Sequence, residues 1–546
     1  MNAIAGVVGA APDAERVVTA LLAGMRGRGP DGEGARAVSA GALGACWSGS
    51  SAAAPGQDAT GRWWVVLDAV PLNLRSLREE LVARELIGVD ATATEVVATL
   101  CAEQGFERGW ARVDGEVAGA AWDDHDGVLW LARDRLGACG LAWRLLSDGA
   151  LAFATDPAVL ARLGDPPPVD VVAIGAGVDL GGVPSPASAW SGISRLPPGH
   201  LLRHPAASAG PPSVRAWWTL GVHPAGAGGA FHRWATSVRF ATDLAVRLRL
   251  PDRGPVAVAL SGGVFSAAVA QRARDRVLTF GLTLHFDDGS AAHTGGSAAI
   301  HVSPRLGDLP IHAVHLGAAD LPGLLDELTR GMATPVFSVD LLAWWVLARE
   351  AWARDATALL TGVGGAATHL IPVRRRVDRL RARLEALRHA PGTSDAEVTR
   401  RACGVTLPER DLAALDLAGA AWQVPVLAPL ADANLVALVT QVPLEHLRAG
   451  GRDRALFLAA MAEGAASPGS TPHRPLAVPV GAWLRGGARP LLDGLPGALA
   501  DLLDPAHVAW LIDDHLGGRA DHGPRLWALL VLARWWGAAR SPGPGR

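Results

Sequence analysis

The chain has 546 residues, 49% of them hydrophobic, and carries a formal net charge of −3 with a pI near 6.6. This length exceeds what one hydrophobic core usually supports, so two domains are the first expectation, and the apolar content excludes a disordered chain. The nearly balanced charge argues against a protein that binds nucleic acid electrostatically, because such proteins are basic overall.

Residues 1–205 predict a β-rich, layered domain. Short apolar and β-branched runs bounded by Gly, Asp and Pro are typical of strands, and amphipathic helices are interleaved with them. The predicted strands include Ala3–Val8, Trp63–Asp68, Gly127–Leu131 and Ala150–Ala154, and the predicted helices include Ala14–Met25 and Leu74–Ala83. Over residues 206–229 the composition shifts to Ala, Gly, Ser and Pro, which indicates a linker.

Residues 230–546 predict a second domain, in which strands alternate with helices. A helix is expected over Trp234–Leu248 and another from Ser266, and apolar strands are expected at Pro255–Leu260, Val277–Thr283, Ile311–His315 and Ala358–Leu360. This alternation predicts a doubly wound parallel sheet, and so an α/β fold class (α+β overall). The chain from Thr399 onward is expected to be mostly helical, and the arginine-rich run Val373–Arg388 is expected to be a solvated helix.

Neither a signal peptide nor a membrane span is predicted. The apolar start lacks a basic segment and is interrupted by Asp13 and Glu15, which indicates a buried strand. The apolar stretches Leu341–Leu347 and Trp527–Trp536 are far shorter than the roughly 20 residues that a span requires. No CxxC spacing of a zinc or redox site joins the four cysteines, which are Cys46, Cys101, Cys139 and Cys403. We therefore predict a cytoplasmic protein.

Seven blocks, in chain order, resemble the asparagine synthetase family and its relatives, the β-lactam synthetases and lasso peptide cyclases. The blocks are Met1–Gly9, Arg28–Gly34, Arg133–Gly137, Leu196–His200, Ser261–Ala267, Thr361–Gly365 and Pro479–Arg485. The resemblance implies a domain similar to class II glutamine amidotransferases, followed by a synthetase domain similar to ATP pyrophosphatases.

The resemblance also implies a glutamine site, but its chemical residues are replaced. Active relatives carry a cysteine after the initiator methionine, whose thiolate attacks the glutamine amide, whereas this chain has Asn2. The family segment Asn-Gly-Glu reads Asp68-Ala69-Val70, and the aspartate expected to pair with the substrate's amino group is Ala93. Arg28 remains beside this degenerate site. No glutaminase activity is expected, although β-lactam synthetases and lasso cyclases also lack it.

The synthetase half resembles a pyrophosphate loop of the form Ser-Gly-Gly-x-Asp-Ser. Glycines let backbone N–H groups approach phosphate at a helix N-terminus, and serines add hydroxyl donors. The retained loop positions are Ser261, Gly262, Gly263 and Ser266, whereas the aspartate that the resemblance assigns to magnesium is Phe265. A tight connection between a strand and a helix would explain the Ser-Gly-Gly turn equally well.

The second magnesium block of the family, Gly-Glu-Gly-x-Asp-Glu, has also lost its acids. Here it reads Gly362-Val363-Gly364-Gly365-Ala366-Ala367, so Gly362 and Gly364 remain and Val363 stands where the family has a catalytic glutamate. We therefore predict no metal ligands. ATP and Mg²⁺ are expected from the resemblance, with binding weakened or lost, because removing one preorganised charge typically costs about 10²- to 10³-fold in rate.

The last family position is a lysine that stabilises charge during attack on the acyl-adenylate. By alignment it is Arg474, and no lysine occurs anywhere in the chain. An arginine supplies positive charge but cannot exchange a proton, because its pKa stays above about 12.

These observations lead to one function hypothesis and leave an alternative open. The leading hypothesis is a catalytically degenerate homologue that acts as a scaffold or partner in natural-product biosynthesis, such as lasso peptide assembly. The alternative is an active ATP-dependent amide ligase with a rebuilt site, so whether the chain is an enzyme stays undecided. Glutamine-dependent asparagine synthesis is not expected. We expect a peptide or protein partner, no nucleic acid and no membrane, and a homodimer stays open.

Overall fold

The computed structural model describes residues 2–9, 13–49, 54–208, 210–221, 230–287, 306, 308–332, 334–369, 402–447, 454–462 and 478–540. The chain divides into two units. Residues up to 176 and residues 183–219 belong to the first unit, whereas residues 177–182 and 220–543 belong to the second. In the described ranges, no helix combines the length and apolarity needed to cross a bilayer.

The first unit contains two antiparallel sheets. Its strands are β1 (Asn2–Val8), β2 (Gly32–Val38), β3 (Gly41–Trp47), β4 (Gly56–Gln57), β5 (Trp63–Leu67), β6 (Gly119–Asp123), β7 (Val128–Ala132), β8 (Ala142–Leu145), β9 (Leu151–Ala154), β10 (Ile193–Arg195), β11 (His200–Pro205) and β12 (Ser213–Ala216). The strand orders are β10-β8-β9-β1-β3-β2 and β12-β11-β7-β6-β5-β4. The helices are α1 (Ala14–Ala23), α2 (Leu74–Ala83), α3 (Ala93–Gln104), α4 (Phe106–Ala111), α5 (Pro157–Leu160) and α6 (Val171–Leu180), the last of which continues into the second unit.

Strand alternation sorts the apolar side chains of this unit into layers. On β5, Val66 faces the core between the two sheets, whereas Val65 and Leu67 pack against α3 and α4 on the other face. Helix α1 covers the outer face of the other sheet so closely that a Cβ on Gly44 would lie 2.7 Å from Val18. The predicted β-rich layered domain is confirmed.

The second unit is built on a parallel sheet of order β15-β14-β13-β16-β17. Its strands are β13 (Val256–Ala259), β14 (Thr279–Asp287), β15 (Ile311–Gly317), β16 (Ala358–Leu360) and β17 (Val426–Leu427). The described helices are α7 (Phe231–Arg247), α8 (Val264–Arg274), α9 (Leu321–Gly331), α10 (Asp340–Trp352), α11 (Gly365–His369), α12 (Ala413–Trp422), α13 (Ala433–Val439), α14 (Leu444–Leu447), α15 (Ala455–Met461), α16 (Val480–Arg485), α17 (Leu495–Ala498), α18 (Pro505–Leu516) and α19 (Gly523–Arg540). A π-helix, Ala402–Leu412, precedes α12.

The alternation of strands and helices in this unit confirms the predicted α/β class. Every residue of β13 is buried, as expected of a central parallel strand covered on both faces. Some element bounds differ from the predictions, since α8 begins at Val264 rather than Ser266 and β14 continues to Asp287. Within the stretch predicted to be a linker, Ser213–Ala216 form β12 by pairing with β11. The arginine-rich run Val373–Arg388 lies outside the described residues.

Candidate functional site

Asn2, at the position of the family nucleophile, is the first residue of β1 and is buried. It lies opposite Trp47 of β3, and its side-chain oxygen accepts a hydrogen bond from the Ser48 N–H at 3.3 Å. The block Arg28–Gly34 reaches the same end of β3, where the Asp31 N–H donates to the Trp47 carbonyl at 3.0 Å. The first two family blocks are therefore neighbours, but a carboxamide at residue 2 cannot act as a nucleophile.

Arg28 is brought to this edge by the glycine that follows it. A Cβ on Gly29 would lie 2.3 Å from the Trp47 nitrogen, so only glycine permits this close approach of two backbone segments. Burial raises the pKa values of both Cys46 and Asp68, and the Arg28 guanidinium is near enough to offset a small part of each increase. The fold thus brings Arg28 and Asp68, two residues of the predicted glutamine site, into electrostatic range of each other.

Asp68 is a buried carboxyl group directly after β5. The Ala118 N–H donates to its Oδ1 at 2.6 Å, and the Cys139 thiol also hydrogen-bonds to it. Burial raises the pKa of Asp68 to about 8, because these two donors offset only part of the desolvation cost of the charge. At neutral pH the side chain is mainly protonated, and a neutral carboxyl has nearly the shape of the asparagine amide that the family carries at this position.

The Arg133–Gly137 block has a structural role in this unit. The buried Arg133 side chain donates to the carbonyls of Cys139, Leu196 and Gly137 at 2.7, 2.9 and 2.7 Å. The neighbouring Asp134 carboxylate accepts three backbone N–H groups, and burial still raises its pKa to about 6. This block therefore closes a loop against the Leu196–His200 block, which explains why both persist beside a degenerate site.

Ala69 and Ala93 stand where the resemblance places a glycine and an aspartate of the family's glutamine site. Both pack against one apolar cluster, which includes Trp63 and Phe106. Helix α3 keeps its N-terminal cap, in which Thr92 and Glu95 exchange hydrogen bonds. The helix is therefore retained, while the carboxylate expected to pair with the substrate's amino group is replaced by the methyl group of Ala93.

In the second unit, the two predicted phosphate-side loops meet at one edge of the sheet. The Ser261-Gly262-Gly263 turn follows β13, the Thr361–Gly365 block follows β16, and these two strands are adjacent and parallel. A Cβ on Gly362 would lie 2.8 Å from the Ser266 nitrogen, so the loops are in direct contact. This is the edge at which doubly wound sheets bind ligands.

The first loop retains the backbone form of a phosphate cradle. Gly262 adopts φ +72° and, in the second loop, Gly364 adopts φ +91°, both in the left-handed region that favours glycine. The Ser261 and Ser266 hydroxyls lie 3.3 Å apart, and Ser266 Oγ donates to the Gly263 carbonyl at 3.0 Å. The two hydroxyls therefore stabilise the turn itself.

Phe265, at the position of the family's magnesium aspartate, is almost fully buried. Its ring centroid lies 4.8 Å from that of Phe457, and a Cβ on Gly365 would lie 2.6 Å from the ring. The resemblance assigns this position to a magnesium ligand, whereas the Phe265 ring lies beside the Gly362–Ala367 segment and within the hydrophobic core that also contains Leu430.

The residues at these two loops do not fit a magnesium ion. Mg²⁺ requires an octahedral shell of oxygen ligands, usually including carboxylates. Phe265, Val363 and Ala366 offer no such oxygen, and across the described ranges no group of three or more His, Cys, Asp or Glu side chains is arranged to hold a metal. Arg474, at the lysine position, lies outside the described residues.

One buried histidine that contacts the Pro479–Arg485 block was not predicted. His515 on α18 donates from Nε2 to the Gly481 carbonyl at 3.0 Å and accepts the His522 N–H at Nδ1 at 3.1 Å, while Arg485 donates to the His515 carbonyl at 2.9 Å. Burial and the nearby Arg485 charge lower the pKa of His515. The neutral imidazole thus holds α16, which carries most of the Pro479–Arg485 block. A lone histidine in a helical stretch carries no sequence signal for this role.

The sequence matches two families. The glutamine amidotransferase domain family matches residues 1–218, and the asparagine synthase family matches residues 237–367 and 372–537. No protein of curated function matches significantly.

Among solved structures, one similar chain is glutamine phosphoribosylpyrophosphate amidotransferase from B. subtilis in complex with ADP and GMP, with 9% identity, a TM-score of 0.31, and coverage of 57% of this chain and 81% of that one. An allosteric regulatory enzyme of purine biosynthesis has 10% identity, a TM-score of 0.32, and coverage of 57% and 80%. The U34-tRNA thiolase NcsA from Methanococcus maripaludis, with its 4Fe-4S cluster, has 13% identity, a TM-score of 0.23, and coverage of 58% and 83%.

Proposed function

Because the chain belongs to the asparagine synthase family and carries an N-terminal glutamine amidotransferase domain, we propose that it is a catalytically degenerate member of that family. It serves as a scaffold or partner protein in a natural-product pathway, with lasso peptide or β-lactam assembly as the analogy. The observation that carries the proposal is the position of Phe265, whose ring is packed among Gly365, Leu430 and Phe457.

The electrostatics of the synthetase loops support the proposed loss of catalysis. The family binds ATP, whose triphosphate brings about four negative charges that two Mg²⁺ ions normally offset. Both loops have exchanged their acids for apolar side chains, and Phe265 adds a bulky ring without adding charge. Losing several preorganised charges that act together leaves little adenylation, even allowing for their non-additivity.

Two activity assays test the loss of catalysis. The purified protein should release no ammonia from glutamine, because Asn2 supplies no nucleophile. It should also release no pyrophosphate from ATP in the presence of candidate peptides. An intact amide ligase of the family, assayed in parallel, is the positive control. Sustained pyrophosphate release that depends on a peptide would contradict the proposal and favour an active ligase with a rebuilt site.

Calorimetry with ATP tests the nucleotide pocket directly. We expect weak binding that is nearly equal in Mg²⁺ and in EDTA, because neither loop offers a carboxylate to the ion. Restoring two acids together, as Phe265→Asp with Ala366→Asp, should make binding depend on Mg²⁺ if the backbone cradle is intact. Thermal unfolding must first establish that this double variant is folded. Micromolar binding by the native chain that EDTA abolishes would mean that other residues hold the metal.

A further inference from the structure

Helix α7 carries an exposed apolar stripe. Phe240 and Leu244 on the helix and Leu248 at its C-cap follow one another at intervals of four residues and are 63%, 43% and 39% exposed. Residues at this spacing lie on one face of a helix, so the three side chains form a continuous ridge rather than scattered surface positions. Single exposed apolar residues are ordinary on protein surfaces, whereas contiguous ones mark interaction sites.

The opposite face of α7 is fixed in the core of the second unit. Val238 and Val246 are fully buried in its hydrophobic cluster, and Thr242 is also fully buried. Just beyond the helix, the buried Arg249 guanidinium donates to Asp432 at 3.0 Å. The ridge is therefore presented on a rigid element, so little ordering entropy opposes the docking of a partner.

The charges beside the ridge are positive. Arg233 and Arg247 are exposed on the same helical face, and the Arg239 guanidinium lies 5.4 Å from the Phe240 ring centroid. The only acidic residue of α7, Asp243, is paired with Arg272 of α8. The ridge therefore presents an apolar strip with basic margins.

We propose that this face of α7 binds an amphipathic helix of a partner protein or peptide, with apolar residues at helical spacing and Asp or Glu beside them. Two helices pack through such ridges, with their axes about 8–10 Å apart. The arginines complement acidic residues beside the partner's apolar face. Such charges determine which partner binds more than how tightly it binds. This proposal goes beyond the proposed function, because an active ligase could carry the same surface.

A second copy of this chain is a poorer occupant. If two α7 helices packed antiparallel about Leu244, the two Arg247 residues would lie about 9 Å apart along the helix axes, and no unpaired acid of α7 would oppose them. Like charges held together in this way disfavour the pairing. Self-association is therefore an outcome that the experiment must separate from partner binding.

Fluorescence anisotropy with two labelled synthetic peptides tests the proposal on the full chain. Both peptides have about 18 residues, or five helical turns, with leucines at helical spacing. One carries glutamates at the remaining positions and the other carries arginines. The native chain should bind the acidic peptide at least about tenfold more tightly than the basic one, and added salt should reduce this preference.

Variants of the ridge and of a distant site complete the experiment. Leu244→Glu should weaken acidic-peptide binding at least about tenfold without changing thermal stability, because the side chain is already exposed. Arg247→Glu should reduce the preference for the acidic peptide, because Arg233 and Arg239 remain. Val172→Glu, at an 85% exposed apolar residue of the first unit, is the matched control and should bind like the native chain.

Unchanged acidic-peptide binding by folded Leu244→Glu would overturn the proposal, and so would equal binding of the two peptides. A concentration-dependent dimer in sedimentation that Leu244→Glu dissolves would assign the ridge to a second copy instead. None of these results depends on ATP or glutamine. Failure of this proposal can therefore be distinguished from failure of the proposed function, which the assays of catalysis test.

Discussion

Replacing Asp68 by asparagine should stabilise the protein at pH 8 and have little effect near pH 4. In the unfolded chain this carboxyl has its ordinary pKa of 3.8, whereas burial raises the folded pKa to about 8. Between these pH values the unfolded chain releases a proton that the folded chain keeps, so the native protein loses stability as pH rises. Asparagine keeps an oxygen for the Ala118 N–H and has no charge to bury.

The shift sets the size of the effect. A difference of about four pKa units, at about 1.4 kcal/mol per unit, gives a ceiling of roughly 5–6 kcal/mol at pH 8. Relaxation of the loop and entry of water reduce this value, so we expect about 2–4 kcal/mol. In a domain of this size that gain corresponds to a rise in Tm of roughly 4–16 °C.

Thermal unfolding of the native chain and of Asp68→Asn between pH 4.5 and pH 8.5 measures the difference. The matched control is Asp123→Asn. Asp123 is equally buried, but it accepts two hydrogen bonds from Arg62 at 2.8 and 2.7 Å. That substitution should lower Tm at pH 8, because it breaks an ion pair. A Tm difference for Asp68→Asn that stays constant across the pH range, or a loss of stability at pH 8, would show that Asp68 is ionised in the folded protein.

Three shorter predictions follow from other buried groups. Phe265→Ala should lower the free energy of unfolding by about 3–5 kcal/mol in urea, with no rescue by Mg²⁺, because the ring fills an apolar core. His204→Phe should raise Tm at pH 5.5 more than at pH 8; burial lowers the pKa of His204 below 6.5, so only the unfolded chain binds a proton readily in mild acid. Asn2→Cys should still release no ammonia from glutamine in an enzymatic assay, because Ala93 offers no carboxylate to the substrate's amino group. Measurable release would contradict the assignment of the first unit as a degenerate glutamine site.

The ordered sequence blocks identified the architecture because they lie where the fold constrains the backbone. Glycines at left-handed positions, such as Gly262 and Gly364, and the arginine of the Arg133–Gly137 block are required by local geometry. These requirements remain when the chemistry is lost, so a degenerate chain still displays them. The lost acids were equally visible in the sequence, since each substitution falls at a defined position within a recognisable block.

The extent of the first unit was harder to predict than its strands. Residues around Ser213–Ala216 lie in a stretch rich in Ala, Gly, Ser and Pro, yet they pair with β11 through backbone hydrogen bonds. Such pairing is favoured by a neighbouring sheet edge rather than by the composition of the added strand. Local composition therefore predicted a linker where the structure has an edge strand.

The order of residues alone shows which groups are present: an asparagine at residue 2, a phenylalanine at residue 265, and no lysine at any position. The surroundings of these groups depend on the tertiary structure. The fold buries Asp68 beside Ala118, which raises the pKa of its carboxyl to about 8, packs the Phe265 ring into the core, and leaves Phe240 and Leu244 exposed. Desolvation and packing depend on atoms brought together from distant parts of the chain, and no local pattern of residues specifies these atoms.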